Sequence, residues 1–233
     1  MRKNSALRLS ALGAALVVTA TLGVSSAQAH NPGTTEARGK TVTLNASLTE
    51  LNNSGVSGSA SAVVHNKKIK HIEVHAEGLS PDAPHAQHIH YGDDALNECP
   101  TLELDSNGDG RLNTLEGLPA YGPVVVSLTT SGDTSPASLL AVDRFPVADN
   151  GVINYSRDNI KFTDVAGTGY GADGLGTAEQ IADAIRDGEG VLVIHGLDYD
   201  GNGAYNLSAE GASDLDPNLP AEATDPAACG ILR

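Results

Sequence analysis

The sequence predicts an all-β fold, an antiparallel sandwich or barrel with one short helix. Three observations carry that reading. Eight β-type segments recur between clusters of Gly, Pro, Asn and Asp. The chain holds 26 Gly but only eight aromatic residues, six Tyr and two Phe, as a loop-rich β structure would. Helical periodicity is confined to a single stretch, residues 178–186.

Taken from the N-terminus, residues 1–29 read as a signal peptide. They have a basic start, an apolar run from Ala11 to Val24, and a small-x-small cleavage signal at Ala27-Gln28-Ala29. Residues 30–39 (HNPGTTEARG) are polar and turn-rich and read as a flexible arm. Residues 40–233 then form one domain, and the roughly 204 residues left after cleavage can bury a sizeable core. The expected strands are Thr41–Ser47, Gly58–His65, Ile69–Glu77, Ala86–Tyr91, Pro123–Thr129, Ser138–Phe145, Val152–Arg157 and Val191–His195. The helix is Ala178–Arg186: Thr177 and Gln180 make a capping box, Ile181 and Ile185 share a face, and Gly188 stops it. Between Tyr91 and Pro123 lie some thirty residues without regular periodicity. Loops of more than about 15 residues in compact domains usually carry function.

Charge narrows the partners. The whole chain has 14 Lys and Arg against 29 Asp and Glu. Removing Arg2, Lys3 and Arg8 with the leader leaves 11 against 29, a net charge of −18. Such a surface repels nucleic acid and anionic lipid. No later apolar run approaches the ~20 residues that span a bilayer, so an exported protein without membrane insertion is expected. Cys99 and Cys229, an even count in an oxidising compartment, read as one disulfide. No Gly-x-Ser-x-Gly elbow supports nucleophilic hydrolysis.

Seven of the eight histidines precede residue 91. On a strand, His88 and His90 face one side at a separation of about 6.5–7 Å while Ile89 points to the core, so the pair can chelate one ion. Imidazole suits copper or zinc, and His195, closing the run Val191-Leu192-Val193-Ile194, is the natural third ligand. A His-x-His pair taken alone reads more often as polar surface. His71 and His75 flank Glu73 on one strand face, with Ile72 and Val74 on the other, and read as a solvated face. His30 would become the first residue after cleavage, where amine and ring together can chelate copper.

The string PHAQHIHYGDD, the nine-residue step from His90 to Cys99, VLVIHGLD and the terminal AACGIL resemble the copper/zinc superoxide dismutase superfamily, most closely its relatives with a chordin-type (CHRD) domain. The resemblance spans roughly residues 40–233. It implies an eight-stranded Greek-key barrel, a Cys99–Cys229 disulfide, copper on His88, His90 and His195, and a structural role for His85. The departures are informative. No histidine lies between His90 and His195, so the bridging and zinc histidines have no counterpart, and Pro226 stands where the family places its anion-guiding Arg. Steering changes on-rates by about 10- to 1000-fold, so efficient dismutation is not expected of a chain that is acidic and lacks that Arg.

Within the long loop, Asp105-Ser106-Asn107-Gly108-Asp109-Gly110-Arg111-Leu112-Asn113-Thr114-Leu115-Glu116 satisfies the EF-hand calcium pattern throughout. Asp105, Asn107 and Asp109 would supply side-chain oxygens, Arg111 its carbonyl, Glu116 a bidentate carboxylate, and Asn113 a direct or water-mediated contact. Cys99-Pro100 and Leu118-Pro119 argue against long flanking helices, so an isolated structural loop is expected. Asp198-Tyr199-Asp200-Gly201-Asn202-Gly203 begins in the same way but has Ala209 at the twelfth position. A turn that buttresses a ligand histidine is an equal reading of it. The expectation is therefore an exported, disulfide-bonded protein that binds calcium and copper. A copper-only superoxide dismutase and a metal-free structural or adhesive module are the alternatives.

Overall fold

The computed structural model describes Gly39, residues 41–171 and residues 174–233; the leader, nearly all of the arm and His30 lie outside these. The chain is all-β. Its main strands are β1 (Thr41–Glu50), β2 (Ser57–His65), β3 (Lys68–Glu77), β4 (Gln87–His90), β5 (Val124–Ser127), β6 (Val152–Lys161), β9 (Gly190–His195) and β10 (Pro226–Leu232). They form one antiparallel sheet in the order β5-β4-β9-β10-β1-β2-β3-β6. The sheet is curled into a half-barrel whose edges are β5 and β6. Its two quartets meet where Thr49 and Glu50 of β1 pair with Cys229 and Ala228 of β10. The neighbours β4/β9, β10/β1 and β3/β6 are far apart in sequence, which requires crossing connections.

Alternation explains the sheet. In β1, Leu44, Ala46 and Leu48 are buried while their neighbours are exposed. From the other quartet Ile89, Val126, Leu192 and Ile194 join the same core. Period-2 patterning of this kind fixes which face turns inward. The predicted helix is α2 (Ala178–Arg186), with the Thr177/Gln180 capping box formed and Ile181 and Ile185 fully buried. A short hairpin, β7 (Val165–Ala166) with β8 (Leu175–Gly176), precedes it.

Two expectations need correcting. Ser138–Phe145 is no strand: it forms two 3-10 turns, Pro136–Ser138 and Val142–Arg144, and the eighth strand of the sheet is β10 instead. The Arg144 guanidinium pins this segment by donating to the carbonyls of Ser131 and Asp133 and to the Ser138 hydroxyl. The helix is also not single, because α1 (Thr114–Tyr121) and the one-turn α3 (Ala221–Thr224) accompany it. Helix α1 starts on a capping box in which the Asn113 side chain accepts from the Glu116 N–H and the Glu116 carboxylate accepts from the Asn113 N–H.

The loop between β4 and β5 lies on the outer face of the β4/β9/β10 quartet. The disulfide Cys99–Cys229 ties it to β10. There Tyr121 packs with Leu51, Val191, Val193 and Cys229, beside Cys99 and Leu118. Among the described residues no helix is long and apolar enough to cross a membrane.

Candidate metal centre

Register places His88 opposite Val193 and His90 opposite Val191, so alternation along β9 carries His195 to the same outer face. The covering loop buries all three, at 4 %, 1 % and 3 % exposure. The ring centroids of His88 lie 5.7 Å from His90 and 5.2 Å from His195, and those of His90 and His195 are 6.2 Å apart. One nitrogen from each ring falls within 4.8 Å of the others.

Hydrogen bonding decides which nitrogen that is. The Nε2 of His88 lies 3.2 Å from the Leu139 carbonyl, the Nδ1 of His90 2.8 Å from the Gly122 carbonyl, and the Nδ1 of His195 2.6 Å from the Thr224 carbonyl. A carbonyl only accepts, so each of these nitrogens carries the proton and the opposite one keeps a lone pair. Those opposite atoms, His88 Nδ1, His90 Nε2 and His195 Nε2, are buried without any hydrogen-bond partner. A buried polar atom without a partner costs about 1–3 kcal/mol, and three facing one point is the donor set a metal would satisfy.

Electrostatics keeps the lone pairs free. Burial lowers the pKa of His90 to about 3 and of His195 to about 4. Burial also takes His88 well below its ordinary value, and the neighbouring His195 and His90 lower it further. Near neutral pH the three imidazoles are therefore uncharged. His85 stays apart: it is fully buried, with its Nδ1 2.9 Å from the His195 carbonyl and its Nε2 3.0 Å from the Ser80 carbonyl. His71, between Asp158 and Glu73, and His75, beside Asn154, lie on the exposed face of β3 as expected.

The loop Asp105–Glu116 has the expected turn. Gly110 adopts φ +85°, a value L side chains rarely take. The Asp105 carboxylate accepts from the N–H groups of Gly108 and Gly110, and Leu112 at the eighth position is buried. Glu116 closes the loop by accepting from the N–H groups of Ser106, Asn107 and Asn113. Burial pushes the Glu116 carboxyl up, but these donors outweigh it and hold the group below the usual carboxylate range. Asn107 and Asp109 bond to one another and to loop N–H groups. The acidic side chains of Asp105, Asp109 and Glu116 do not converge as tightly as the histidines, and Asn113 serves as the helix cap. The Arg111 side chain bridges the loop and α3's C-cap, pairing with Asp109 at 3.2 Å and with Asp225.

The second loop departs from expectation. No carboxylate of Asp198 or Asp200 orients His195; the Thr224 carbonyl does. Asp198 accepts from Gly201 and Gly203, as Asp105 does from Gly108 and Gly110. The fully buried Glu222 of α3 accepts from Tyr199 and Asn206, the counterparts of Ser106 and Asn113. Oxygens of Asp198, Asp200 and Glu222 fall within 4.8 Å of one another. A glutamate thirteen residues beyond Ala209 thus stands where a contiguous loop would carry its twelfth residue. A scan for twelfth-position acids cannot see that substitution.

The calcium-type loop and the histidines share structural supports. Gly122, the cap of α1, supplies the carbonyl that orients His90. It sits at φ +79°, where an added Cβ would lie 2.8 Å from the backbone of Tyr91 and Gly92. At the other end of α1, the Thr114 hydroxyl donates to the Thr224 carbonyl at 2.7 Å, the same carbonyl that orients His195. Asn52 clamps the loop by bonding both the N–H and carbonyl of Leu112 and the carbonyl of Pro226. No family model and no curated protein matches this chain.

Proposed function

We propose that this is an exported metal-binding protein of the superoxide dismutase-like, CHRD-type kind. In this reading it carries copper on His88, His90 and His195 and calcium in the loop Asp105–Glu116. The observation that carries the copper reading is the set of three buried lone pairs, His88 Nδ1, His90 Nε2 and His195 Nε2, each without a partner. The donor set fits, because imidazole nitrogens suit copper and the second nitrogen of each ring is fixed by a backbone carbonyl. Bound copper would supply one-electron redox chemistry or a Lewis-acid position at this point.

The chain's own residues favour holding the ion over turning over an anion. Hydrogen bonds to the carbonyls of Leu139, Gly122 and Thr224 orient the three rings, which lie buried beneath the loop tethered by Cys99–Cys229. No arginine lines the approach, and the acidic surface repels superoxide. Calcium would act on the same framework, since α1 leaves the calcium loop and touches the supports of His90 and His195 at its two ends.

The test is a His88→Ala, His90→Ala double variant loaded with copper beside the wild type. The reading expects the copper absorption and resonance signals to vanish in the variant. Their persistence would overturn it, and a superoxide turnover near the diffusion limit would favour the dismutase alternative.

A further inference from the structure

The free sides of the three imidazoles open onto a cavity of about 40 Å³. Apart from the histidines it is lined chiefly by Leu139, Leu140, Val142, Leu215, Leu219 and Val124. Among the described residues no charged side chain lines it. Leu140, Val142 and Leu215 form the partly exposed mouth. Aromatic rings continue the apolar surround, with Phe145 edge-on to His88 at 5.2 Å and Tyr121 against His90 at 4.4 Å.

The nearby polar groups lie outside the lining. Asp225 points one oxygen at Arg111 and Tyr199. Its second oxygen, one of Asp214 and the Ser127 hydroxyl are buried without a partner, but none of these residues lines the cavity. Asp214 accepts from the Leu115 N–H, and Arg144 caps the turn at Ser131 and Asp133. The two threonines that line the cavity donate elsewhere, Thr114 to the Thr224 carbonyl and Thr224 to the Ser213 hydroxyl, so they turn only neutral oxygen lone pairs to it. Among the described residues no carboxylate lines the cavity as a fourth ligand for the ion.

We propose that this uncharged, three-donor chamber selects a monovalent ion, so that the centre holds copper as Cu(I) and discriminates against Cu(II) and Zn(II). The inference rests on the copper reading above and deepens it. Neutral imidazoles leave the charge of the ion undiminished, and the cost of burying charge rises with its square. A dication therefore costs about four times as much as a monocation in the same surroundings. A divalent ion ordinarily offsets this with a carboxylate, or with a bound water that has hydrogen-bond partners of its own. The cavity can admit one water, but the side chains of its lining offer that water only two neutral hydroxyls, Thr114 and Thr224, in place of a carboxylate. Zinc prefers four ligands, whereas Cu(I) is content with three nitrogens in a plane.

The test uses the processed, metal-free, disulfide-bonded protein. Cu(I) is titrated without oxygen against a coloured Cu(I) chelator, and Cu(II) and Zn(II) against chelators of known affinity. The expected result is that Cu(I) binds at least about 100-fold more tightly than either divalent ion. Leu215→Glu, which sets a carboxylate at the mouth, should narrow the gap between Cu(I) and Cu(II) about tenfold. That is about 59 mV downward in the potential of a one-electron couple. Leu215→Gln, of the same shape without the charge, should leave it in place.

Equal or tighter binding of Zn(II) or Cu(II) by the wild type would overturn the proposal, as would an equal effect of the Glu and Gln variants. The wild-type comparison decides the matter even if a Leu215 variant folds poorly. Undiminished Cu(I) affinity in the His88→Ala, His90→Ala variant would instead refute the copper reading beneath it. The two failures are therefore separable.

Discussion

Replacing Glu116 by Gln probes the proposed calcium loop with one atom. In the folded chain the carboxylate takes hydrogen bonds from the N–H groups of Ser106, Asn107 and Asn113 and from the Ser106 hydroxyl. An amide offers one acceptor oxygen and turns an NH2 group toward the remaining donors, so at least one bond is lost. Hydrogen bonds to charged groups are worth about 1.5–3 kcal/mol each, so a calcium-free penalty of about 1–2 kcal/mol is expected after exchange with water. The second effect is larger and depends on the ion. At a calcium concentration 100 times the Kd, binding to the native state alone adds about 2.7 kcal/mol. For a domain of this size that is a rise in Tm of about 5–11 °C. Thermal melts by circular dichroism, with calcium and with excess EGTA, should show this rise for the wild type and little of it for the variant. An unchanged wild-type Tm and unchanged proteolysis near Gly108–Gly110 after chelation would refute the reasoning, as would a variant that keeps the full increment.

Three further predictions concern the frame of the centre. In metal-free protein the three clustered histidines have pKa values depressed by burial, to about 3 for His90 and about 4 for His195. Their contribution is thus complete above about pH 6.5 and is lost as pH falls toward 4, because the unfolded chain takes up protons that the folded one refuses. Three such protons give a slope of up to about 4 kcal/mol per pH unit, and the His88→Ala, His90→Ala variant should show a visibly shallower fall in denaturant midpoint over the same window. Asn52→Ala leaves the buried Leu112 N–H without its acceptor and should cost about 2–3 kcal/mol in urea unfolding; a change within error would contradict the clamp. Cys99→Ser with Cys229→Ser opens a loop of 130 residues and should destabilise by about 2–5 kcal/mol, read as a lower midpoint than that of the oxidised wild type.

Much of the fold was legible because alternation is a strong signal where one face is buried. Leu44, Ala46 and Leu48 mark β1, and the Thr177/Gln180 box marks α2 to the residue. Misreadings arose where burial came from something other than a regular face. Leu139, Leu140 and Val142 look like a strand, yet they line the cavity from 3-10 turns. Strand β10, PAACGIL, is buried on both faces except at Ile231 and so shows no alternation. Helix α1 was hidden because Asn113 and Glu116 double as calcium-loop positions and Pro119 sits within it. At the site, spacing put His88 and His90 on one strand face and the end of the run Val191–Ile194 marked His195, while the register of β4 against β9 shows how the three meet. The supports at Leu139, Gly122 and Thr224 are backbone carbonyls, which no side-chain pattern encodes. Glu222 reaches the second loop only through the fold.

The central claim is that two kinds of metal share one framework, and elemental analysis of protein purified from its native source tests it most directly. With copper, zinc and calcium counted per chain, the account predicts one copper lost in the His88→Ala, His90→Ala variant and a calcium content reduced in Glu116→Gln. Copper no higher in the wild type than in the histidine variant, together with calcium indifferent to Glu116, would contradict it.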